Sequence, residues 1–373
     1  MSLKVVEVQD KRDLERFLNL PFSLYKNDPL WVPPLRSHIA SFFTATHPFS
    51  NHAEIRGFLA LKDGRPVGRA AAIVDRNFIA YHRSPTGYFG FFESVNDLEV
   101  VQALFEAVEG ELRRAGMTRV IGPMNPSTNY ECGMLIEGFS TPPFMMMPHN
   151  PPYYPRLLES IGFQKAKDLY ANLIIGDGRT PERLQRLAQR VKAKLPWIRI
   201  RELRAKHLKD EIKLFVRIYH EAWAKNWGFV PMSEEEVAFL ARSMKDLIIP
   251  QLALFSETQK GEPIGFILAI PNYNPVLKAM GGRLTPWGIL KALWVRRKIT
   301  QLRIPLFGIR PPYRLRGIDV LLYTEVFRRG WQRGYRSAEL SWILEDNHLM
   351  QKAIEAMGGR PYKRYRIYQK DLT

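Results

Sequence analysis

Residues 304–334 read IPLFGIRPPYRLRGIDVLLYTEVFRRGWQRG, and this stretch decides the fold. The apolar run from Ile304 to Ile309 predicts a strand, and the Pro- and Arg-rich residues after it predict a turn. From Ile318 onward apolar residues recur at helical spacing, which predicts a helix with Leu321, Leu322, Val326 and Phe327 on its buried stripe. A strand that leads through a turn into a helix is typical of α/β architecture.

The turn in this stretch has the composition of an anion site. The first N–H groups of a helix lack intrahelical partners, and the helix dipole is positive there. Gly317 allows close approach of a phosphate, and Arg314 and Arg316 add charged donors. The turn therefore predicts a pyrophosphate site. The alternative is that Gly317 only serves a tight turn and that the arginines are solvated.

The chain also contains an internal repeat. GRPVG at residues 64–68 recurs as GEPIG at residues 261–265, and each lies between two apolar runs that predict a β-hairpin. Each copy alternates strands and helices around this hairpin, which predicts an α/β fold with a mixed, mostly antiparallel sheet and helices on both faces. We predict one domain over residues 1–176, a linker helix within 177–196 and a second domain over 197–373.

The positive charge is confined to the second half. Residues 1–175 carry 18 basic and 18 acidic side chains, so the net charge of +18 comes from residues 176–373. Such a field favours an anionic partner, which can be a phosphorylated cofactor, nucleic acid, an acidic carrier protein or a membrane surface.

Cysteine content and hydropathy limit the chemistry and the location. Cys132 is the single cysteine, so an intramolecular disulfide is excluded, and no spacing typical of a metal site occurs. The first residues are charged and lack the apolar core of a signal peptide, and no run approaches the ~18 apolar residues of a membrane span. These features predict a cytoplasmic protein without a metal.

The sequence RLRGID at residues 314–319 resembles the acyl-CoA pyrophosphate motif of the GNAT N-acyltransferases, Gln/Arg-x-x-Gly-x-Gly/Ala. Asn347, with Gly358 eleven residues later, resembles the family's next landmark, an Asn that starts a helix and a Gly that ends it. The resemblance covers residues 197–373 and, weakly, the first half. It implies a tandem GNAT protein.

The resemblance also implies the cofactor and its contacts. Acetyl-CoA or another acyl-CoA would place its pyrophosphate on Arg314–Val320 and its pantetheine between strands 304–310 and 337–344. The implied contacts are Ile309, Arg310, Arg314, Leu315, Arg316, Gly317, Ile318, Asp319, Val320 and Asn347. Two positions depart from the family: Asp319 replaces Gly or Ala, and Ile354 replaces the frequent Tyr general acid. The first copy has acidic residues and no Gly in its equivalent turn, so we expect no CoA there.

The long loop at residues 122–150 predicts an acceptor pocket, because it concentrates polar side chains on a Pro- and Gly-rich frame. Glu131 is the predicted base for an acceptor ammonium, and Tyr130 would orient it. The alternative is that these groups satisfy the backbone of an ordered loop.

The second copy has its own insertion, TPWGILKALWVRRKITQLR at residues 285–303. It predicts an amphipathic helix with Trp287, Leu290 and Trp294 on one side and Lys291, Arg297 and Lys298 elsewhere. Such a helix can meet a membrane surface or an acidic carrier protein. The alternative is a helix that covers its own sheet.

These observations and the resemblance together predict an N-acyltransferase, with acetyl as the expected acyl group, that moves the acyl group from acyl-CoA to the amine of a small molecule or peptide. A non-catalytic acyl-CoA-binding protein and a nucleic-acid-binding protein are the alternatives.

Overall fold

The computed structural model describes residues 2–176 and 180–372, so residues 177–179 of the predicted linker lie outside the described part. The strands are β1 (Leu3–Glu7), β2 (Ala53–Lys62), β3 (Arg65–Asp75), β4 (Thr86–Ser94), β5 (Arg119–Gly122), β6 (Met124–Asn125), β7 (Glu131–Cys132), β8 (Met134–Glu137), β9 (Gln164–Ile175), β10 (Ile198–Glu202), β11 (Ala253–Thr258), β12 (Pro263–Pro271), β13 (Gln301–Ile309), β14 (Ser337–Leu344) and β15 (Arg360–Asp371). The helices are α1 (Lys11–Leu24), α2 (Arg36–Ser41), α3 (Arg76–His82), α4 (Leu98–Arg114), α5 (Tyr154–Ser160), α6 (Glu182–Lys194), α7 (Leu208–Trp223), α8 (Glu234–Ser243), α9 (Asn274–Met280), α10 (Pro286–Arg296), α11 (Ile318–Gln332) and α12 (His348–Ala356).

The described residues form two compact units. Unit 1 is drawn from Met1–Leu169, Tyr273–Arg297 and Lys363–Thr373, and unit 2 from Tyr170–Asn272 and Lys298–Tyr362. These limits differ from the predicted limits at 1–176, 177–196 and 197–373. The predicted linker helix, α6, belongs to unit 2, whereas α9, α10 and most of β15 belong to unit 1 although they lie in the second half of the sequence.

The two units repeat one strand order. In unit 1 the order is β1-β2-β3-β4-β5, with antiparallel neighbours except for the parallel pair β4 and β5. In unit 2 it is β10-β11-β12-β13-β14, with β13 and β14 as the parallel pair. The predicted hairpins are β2–β3 and β11–β12. The predicted α/β fold with a mixed, mostly antiparallel sheet in each copy is confirmed.

Helices cover both faces of each sheet. In β3, Arg69 donates a 2.8 Å hydrogen bond to the backbone of Phe17 in α1, while the next residue, Ala70, packs in the core with α4. Successive strand residues point to opposite faces, so α1 and α4 lie on opposite sides. The same alternation in β12 places Phe266 against Phe215 of α7 and Ile267 in the core with α11.

Some elements were not predicted from the sequence. The loop predicted at residues 122–150 contains β6, β7 and β8, and both α3 and α9 were missed. Each of these helices has seven residues, which is too short to display a helical period. The start of α3 is fixed by Asp75, whose side chain accepts hydrogen bonds from the backbone of Asn77 and Phe78.

Candidate active site

The parallel strands of unit 2 diverge part-way along their length. β13 and β14 pair from Gln301 and Ser337 to Ile304 and Leu340, and both strands continue beyond the last pair. The two strands thereby open toward their carboxyl ends, next to the turn that starts α11. This is the place at which the resemblance puts the pantetheine.

The equivalent opening in unit 1 is filled by the chain itself. β4 and β5 pair only over Thr86–Tyr88 and Arg119–Ile121. Beyond them, the Asn125 side-chain oxygen accepts a 2.6 Å hydrogen bond from the backbone N–H of Phe91. A Cβ on Gly90 would lie 1.7 Å from the Met124 carbonyl oxygen, so the two backbones are as close as glycine allows. The two openings therefore differ in structure, and the absence of CoA from the first copy stays a prediction.

The turn at the start of α11 has a left-handed backbone. Leu315 and Gly317 have φ angles of 59° and 84°, and Gly317 is the N-cap of α11. A Cβ at Gly317 would meet the Val191 side chain of α6 at 2.7 Å. Glycine is thus required both by the backbone angle and by the packing of α6, independently of any ligand.

Three of the predicted cofactor contacts, Arg310, Arg314 and Asn347, have side-chain hydrogen-bond partners within unit 2. Arg310 donates to Glu221 at 2.7 Å and to Glu262 at 2.8 Å, and Arg314 donates to the carbonyl oxygens of Ile309 and Ala222. Asn347 caps α12 by accepting from the Met350 backbone at 3.2 Å. The other predicted contacts divide by exposure: Ile309 and Ile318 are buried, Val320 packs on the core, and Leu315 and Arg316 are exposed.

Asp319, the departure from the GNAT motif, is a shielded carboxyl. Burial raises its pKa, and the backbone N–H groups of Val320 and Asp319 partly offset that effect. The carboxyl therefore lies beside the N–H groups predicted for the pyrophosphate.

The turn at the start of α11 fits a diphosphate, although fewer groups are available to bind it than the resemblance implies. The fitting elements are the left-handed turn, the N-terminal N–H groups of a 15-residue helix and the exposed guanidinium of Arg316, which lies 5.9 Å from the Tyr313 ring centroid. Arg310 and Arg314 are engaged in holding the turn against α7 and β12–β13.

In unit 1 the predicted catalytic residues lie on the β6–β7 hairpin. Glu131 is half-buried and is the register partner of Asn125. Tyr130 is buried, and its ring packs at 5.2 Å from Phe42 and 5.9 Å from Phe49. The role of Glu131 as a base, with Tyr130 orienting it, stays a prediction.

A buried carboxyl on β4 forms a network that the sequence analysis missed. Glu93 accepts 2.8 Å hydrogen bonds from the hydroxyls of Tyr25 and Tyr154, and Arg69 lies 3.7 Å away. Burial raises the pKa of Glu93, while Arg69 lowers it. The sequence does carry a signal, since Glu93 is the only charged residue in the apolar strand TGYFGFFES.

A histidine–aspartate pair lies beside this network. His149 Nε2 is 2.7 Å from the Asp28 carboxylate, and the Tyr25 hydroxyl is 3.4 Å from the His149 carbonyl oxygen. The His149 side chain is 6% exposed, and its buried Nδ1 has no hydrogen-bond partner among the described residues. Because a carboxylate only accepts, Nε2 carries the hydrogen in the neutral ring and Nδ1 carries the lone pair.

Burial is the main reason that the pKa of His149 is lowered, which favours the neutral ring. Burial lowers its pKa, Asp28 raises it, and Lys363 and Lys278 lower it. A neutral ring with an oriented lone pair is the chemical state that a general base requires near neutral pH. His149 lies in the polar loop at residues 122–150, but the sequence alone does not pair it with Asp28, which is 121 residues away.

Residues 2–176 and 180–372 contain neither a helix that could span a membrane nor a cluster of metal-ligating side chains. No helix in these ranges has the length and apolarity needed to cross a bilayer. In the same ranges no three His, Cys, Asp or Glu side chains gather in a way suited to a metal ion.

Comparisons with known proteins identify relatives over the whole chain. No family model matches. The chain is 37% identical over 385 residues to a protein named bacterial ceramide synthase from Caulobacter vibrioides, with coverage of 100% of this chain and 98% of the relative. It is 35% identical over 371 residues to protein YghO of Escherichia coli, with coverage of 97% and 94%.

Solved structures show the same fold at low sequence identity. A tandem GNAT protein from the clavulanic acid biosynthesis pathway matches with a TM-score of 0.59 and 12% identity, covering 100% of this chain and 99% of that one. A GCN5-related N-acetyltransferase from Sphaerobacter thermophilus matches with a TM-score of 0.53 and 15% identity, covering 99% and 96%. The chain therefore has the tandem GNAT fold, and it belongs to the family of the Caulobacter bacterial ceramide synthase and Escherichia coli YghO.

Proposed function

We propose that the protein is an N-acyltransferase that joins a fatty acyl group to the amine of a sphingoid base, a long-chain amino alcohol. The observation that carries this proposal is the 37% identity, over the full length of both chains, to a protein named ceramide synthase. Ceramide is by definition an N-acylated sphingoid base. The tandem GNAT fold supports acyl transfer as the reaction class.

The reaction balances without a redox partner. The acceptor nitrogen attacks the thioester carbonyl carbon, the C–N bond forms, the C–S bond breaks, and the thiolate leaves. The acceptor enters as an ammonium at neutral pH, so one proton must pass to a base before attack. The nitrogen loses a second proton as the amide forms, the thiolate takes up one proton to become the free thiol, and one proton is released to solvent. Acyl-CoA, when bound, supplies the activated thioester.

Unit 2 offers the groups that would hold this donor. The N–H groups at the start of α11 point toward the turn, and the exposed Arg316 adds a charged donor that suits a diphosphate. The opening between β13 and β14 lies beside them. This assignment supports acyl-CoA as the co-substrate.

Glu131 and His149 are the two candidates for the base. Glu131 is the residue that the sequence predicts. His149 is supported by its geometry, because Asp28 fixes its tautomer and leaves the Nδ1 lone pair unpartnered. We propose His149 as the base on this ground, and the paired variants described below decide between the two.

Acyl-CoA binding without turnover is the second candidate function. It is favoured by Ile354, which is 1% exposed and stands where the GNAT family frequently has its Tyr general acid. A leaving thiolate would then need another proton source. Turnover of a thioester with an amine separates the two functions.

The test is an assay of the purified full chain with sphinganine and acyl-CoAs of increasing chain length, read by mass spectrometry of the amide. We expect an N-acyl product, and Arg316→Glu should raise KM for acyl-CoA about tenfold or more by placing a carboxylate at the diphosphate. The exposed Arg199 of β10 provides the matched control, because Arg199→Glu makes the same charge change away from the turn. Absence of product with every donor, or an equal effect of both variants, would contradict the proposal.

The base is tested by pH profiles of His149→Gln and Glu131→Gln. A base must be deprotonated to act, so kcat/KM of the unmodified protein should rise with pH through a pKa below the ordinary histidine value of about 6.5. His149→Gln should remove this limb and lower kcat about a hundredfold. If Glu131→Gln has both effects and His149→Gln has neither, Glu131 is the base. Circular dichroism and Tm verify that each variant is folded.

A further inference from the structure

Helix α10 exposes large apolar side chains to solvent. Trp287 is 76% exposed, Trp294 61% and Leu290 57%, and both Leu293 in the helix and Leu284, two residues before it, are similarly exposed. A soluble chain rarely leaves several large apolar residues together on one short helix. The sequence analysis left open whether this helix covers its own sheet, and its exposure contradicts that alternative.

The side of α10 that faces its own unit consists of small residues. Gly288 is buried, and Ala292 and Val295 are half-buried, which places them on one side at helical spacing. The large side chains point away from that side. A helix that covers a core buries its large apolar side chains, whereas α10 buries its small residues and exposes its large apolar ones.

The helix is held firmly in this orientation. Gly282, in the turn before α10, accepts a 3.3 Å hydrogen bond from the Arg36 backbone, and a Cβ there would lie 2.7 Å from the Phe22 ring. Asn274 at the start of α9 donates to the Pro143 carbonyl at 2.7 Å. The exposed side chains are therefore presented by a fixed support within unit 1.

The sequence segment that contains α10 carries charge of one sign. No acidic residue occurs between Glu262 and Asp319, whereas this interval includes Lys278, Arg283, Lys291, Arg296, Arg297 and Lys298. Lys278 donates to the Pro29 carbonyl, and Arg296 lies 5.8 Å from the Tyr273 ring centroid. Arg283, Lys291 and Arg297 are exposed beside the apolar residues.

We propose that α10 docks the protein on an anionic lipid bilayer, with its tryptophans and leucines in the interface and its cations on the headgroups. Tryptophan favours the membrane interface, and cations near it are attracted by anionic lipids. With 11 residues the helix spans about 16 Å, too short to cross a bilayer, so it lies in the plane of the interface.

The charges and the exposed apolar side chains of α10 together favour a bilayer over two other partners, a second copy of the chain and an acidic protein. A second copy of the chain docked through the same face would bring like charges together, which opposes a symmetric dimer. An acidic protein would match the cations but would also need an apolar recess for two tryptophans and their neighbouring leucines. An anionic bilayer provides a charged surface and an apolar interior together.

The experiment measures binding of the full chain to vesicles of phosphatidylcholine alone and of phosphatidylcholine with about 30 mol % phosphatidylglycerol, by flotation. We expect binding to the anionic vesicles, and we expect the double variant Trp287→Ser, Leu290→Ser to weaken it at least about tenfold, because two large apolar side chains no longer enter the interface. The pair Lys291→Glu and Arg297→Glu should weaken binding to anionic vesicles by a similar factor.

Matched controls lie on α12, where Leu349 is 70% exposed and Lys352 is exposed. Leu349→Ser and Lys352→Glu should leave vesicle binding within about twofold. Absence of binding to anionic vesicles, or equal binding by the α10 variants, would overturn the proposal. A dimer in light scattering that dissociates in the Trp287→Ser, Leu290→Ser variant would assign the face to self-association. Vesicle binding needs no substrate, so its outcome is independent of the proposed acyl transfer.

Discussion

At the scale of single residues, the buried charges of unit 1 depend on strand register. Arg69 and Glu93 are directly opposite each other on β3 and β4, with side chains only 8% and 13% exposed. The sequence identifies Glu93 as a polar residue in an apolar strand, but the register that gives it Arg69 as a partner is set by the bulge between Arg69 and Ala71. The pairing of His149 with Asp28 also depends on the folded chain, because the two residues are 121 positions apart. Sequence reasoning could find these residue types but not their pairing.

We predict that Glu93→Ala lowers the free energy of unfolding by about 3–5 kcal/mol, because Arg69 is left as an uncompensated buried charge and two tyrosine hydroxyls lose their acceptor. Glu93→Gln should cost less, since an amide oxygen still accepts from Tyr25 and Tyr154. Urea unfolding measures both. Glu54 is the control: it pairs with Arg76 at the surface and is 55% exposed, so Glu54→Ala should cost less than about 1 kcal/mol. Equal costs for Glu93→Ala and Glu54→Ala would be incompatible with a buried network.

At the scale of elements, the stretch at residues 304–334 could be predicted closely. The strand, the turn and a helix starting near Ile318 all follow from its apolar period and its Pro, Arg and Gly residues, and the structure has them as β13 and α11. The sequence alone does not give the full reason why residue 317 must be glycine. The sequence suggests close approach of a phosphate, whereas the structure adds a contact with Val191 of α6, 126 residues earlier in the chain.

Gly317→Ala should therefore destabilise unit 2 by about 3 kcal/mol, of which 1–2 come from the left-handed backbone and the rest from overlap with Val191. In a Val191→Ala background the same substitution should cost only the backbone contribution, and a double-mutant cycle in urea measures the difference. Gly116 serves as reference, because it has a φ of 80° and no atom within 4 Å of an added Cβ. If the cost of Gly317→Ala is the same in both backgrounds, Val191 is not its cause.

At the scale of the whole molecule, the repeat predicts the strand order of each unit but not the exchange of chain segments. Unit 1 takes β15 residues from the end of the sequence, and their cations pair with first-half acids: Arg366 with Asp168 at 2.8 Å and Lys370 with Glu109 at 2.6 Å. Part of the charge excess assigned to the second half is therefore neutralised within unit 1. Tyr365 and Ile367 of β15 are buried, but the alternation of residues along a strand cannot say into which core they point.

A chain ending at residue 176 should not fold, although it contains a whole repeat. It lacks residues 273–297 and the β15 residues that pair with β5 and β8, and it leaves Asp168, which is 1% exposed, without Arg366. A chain ending at Tyr362 keeps unit 2 but loses the buried Tyr365, Ile367 and Tyr368 from unit 1. We expect the first chain to show no cooperative thermal transition by circular dichroism, and the second to retain amide protection only in unit 2 by hydrogen exchange. A cooperative transition in the 176-residue chain would mean that the first repeat is an independent domain and that its C-terminal strand is dispensable.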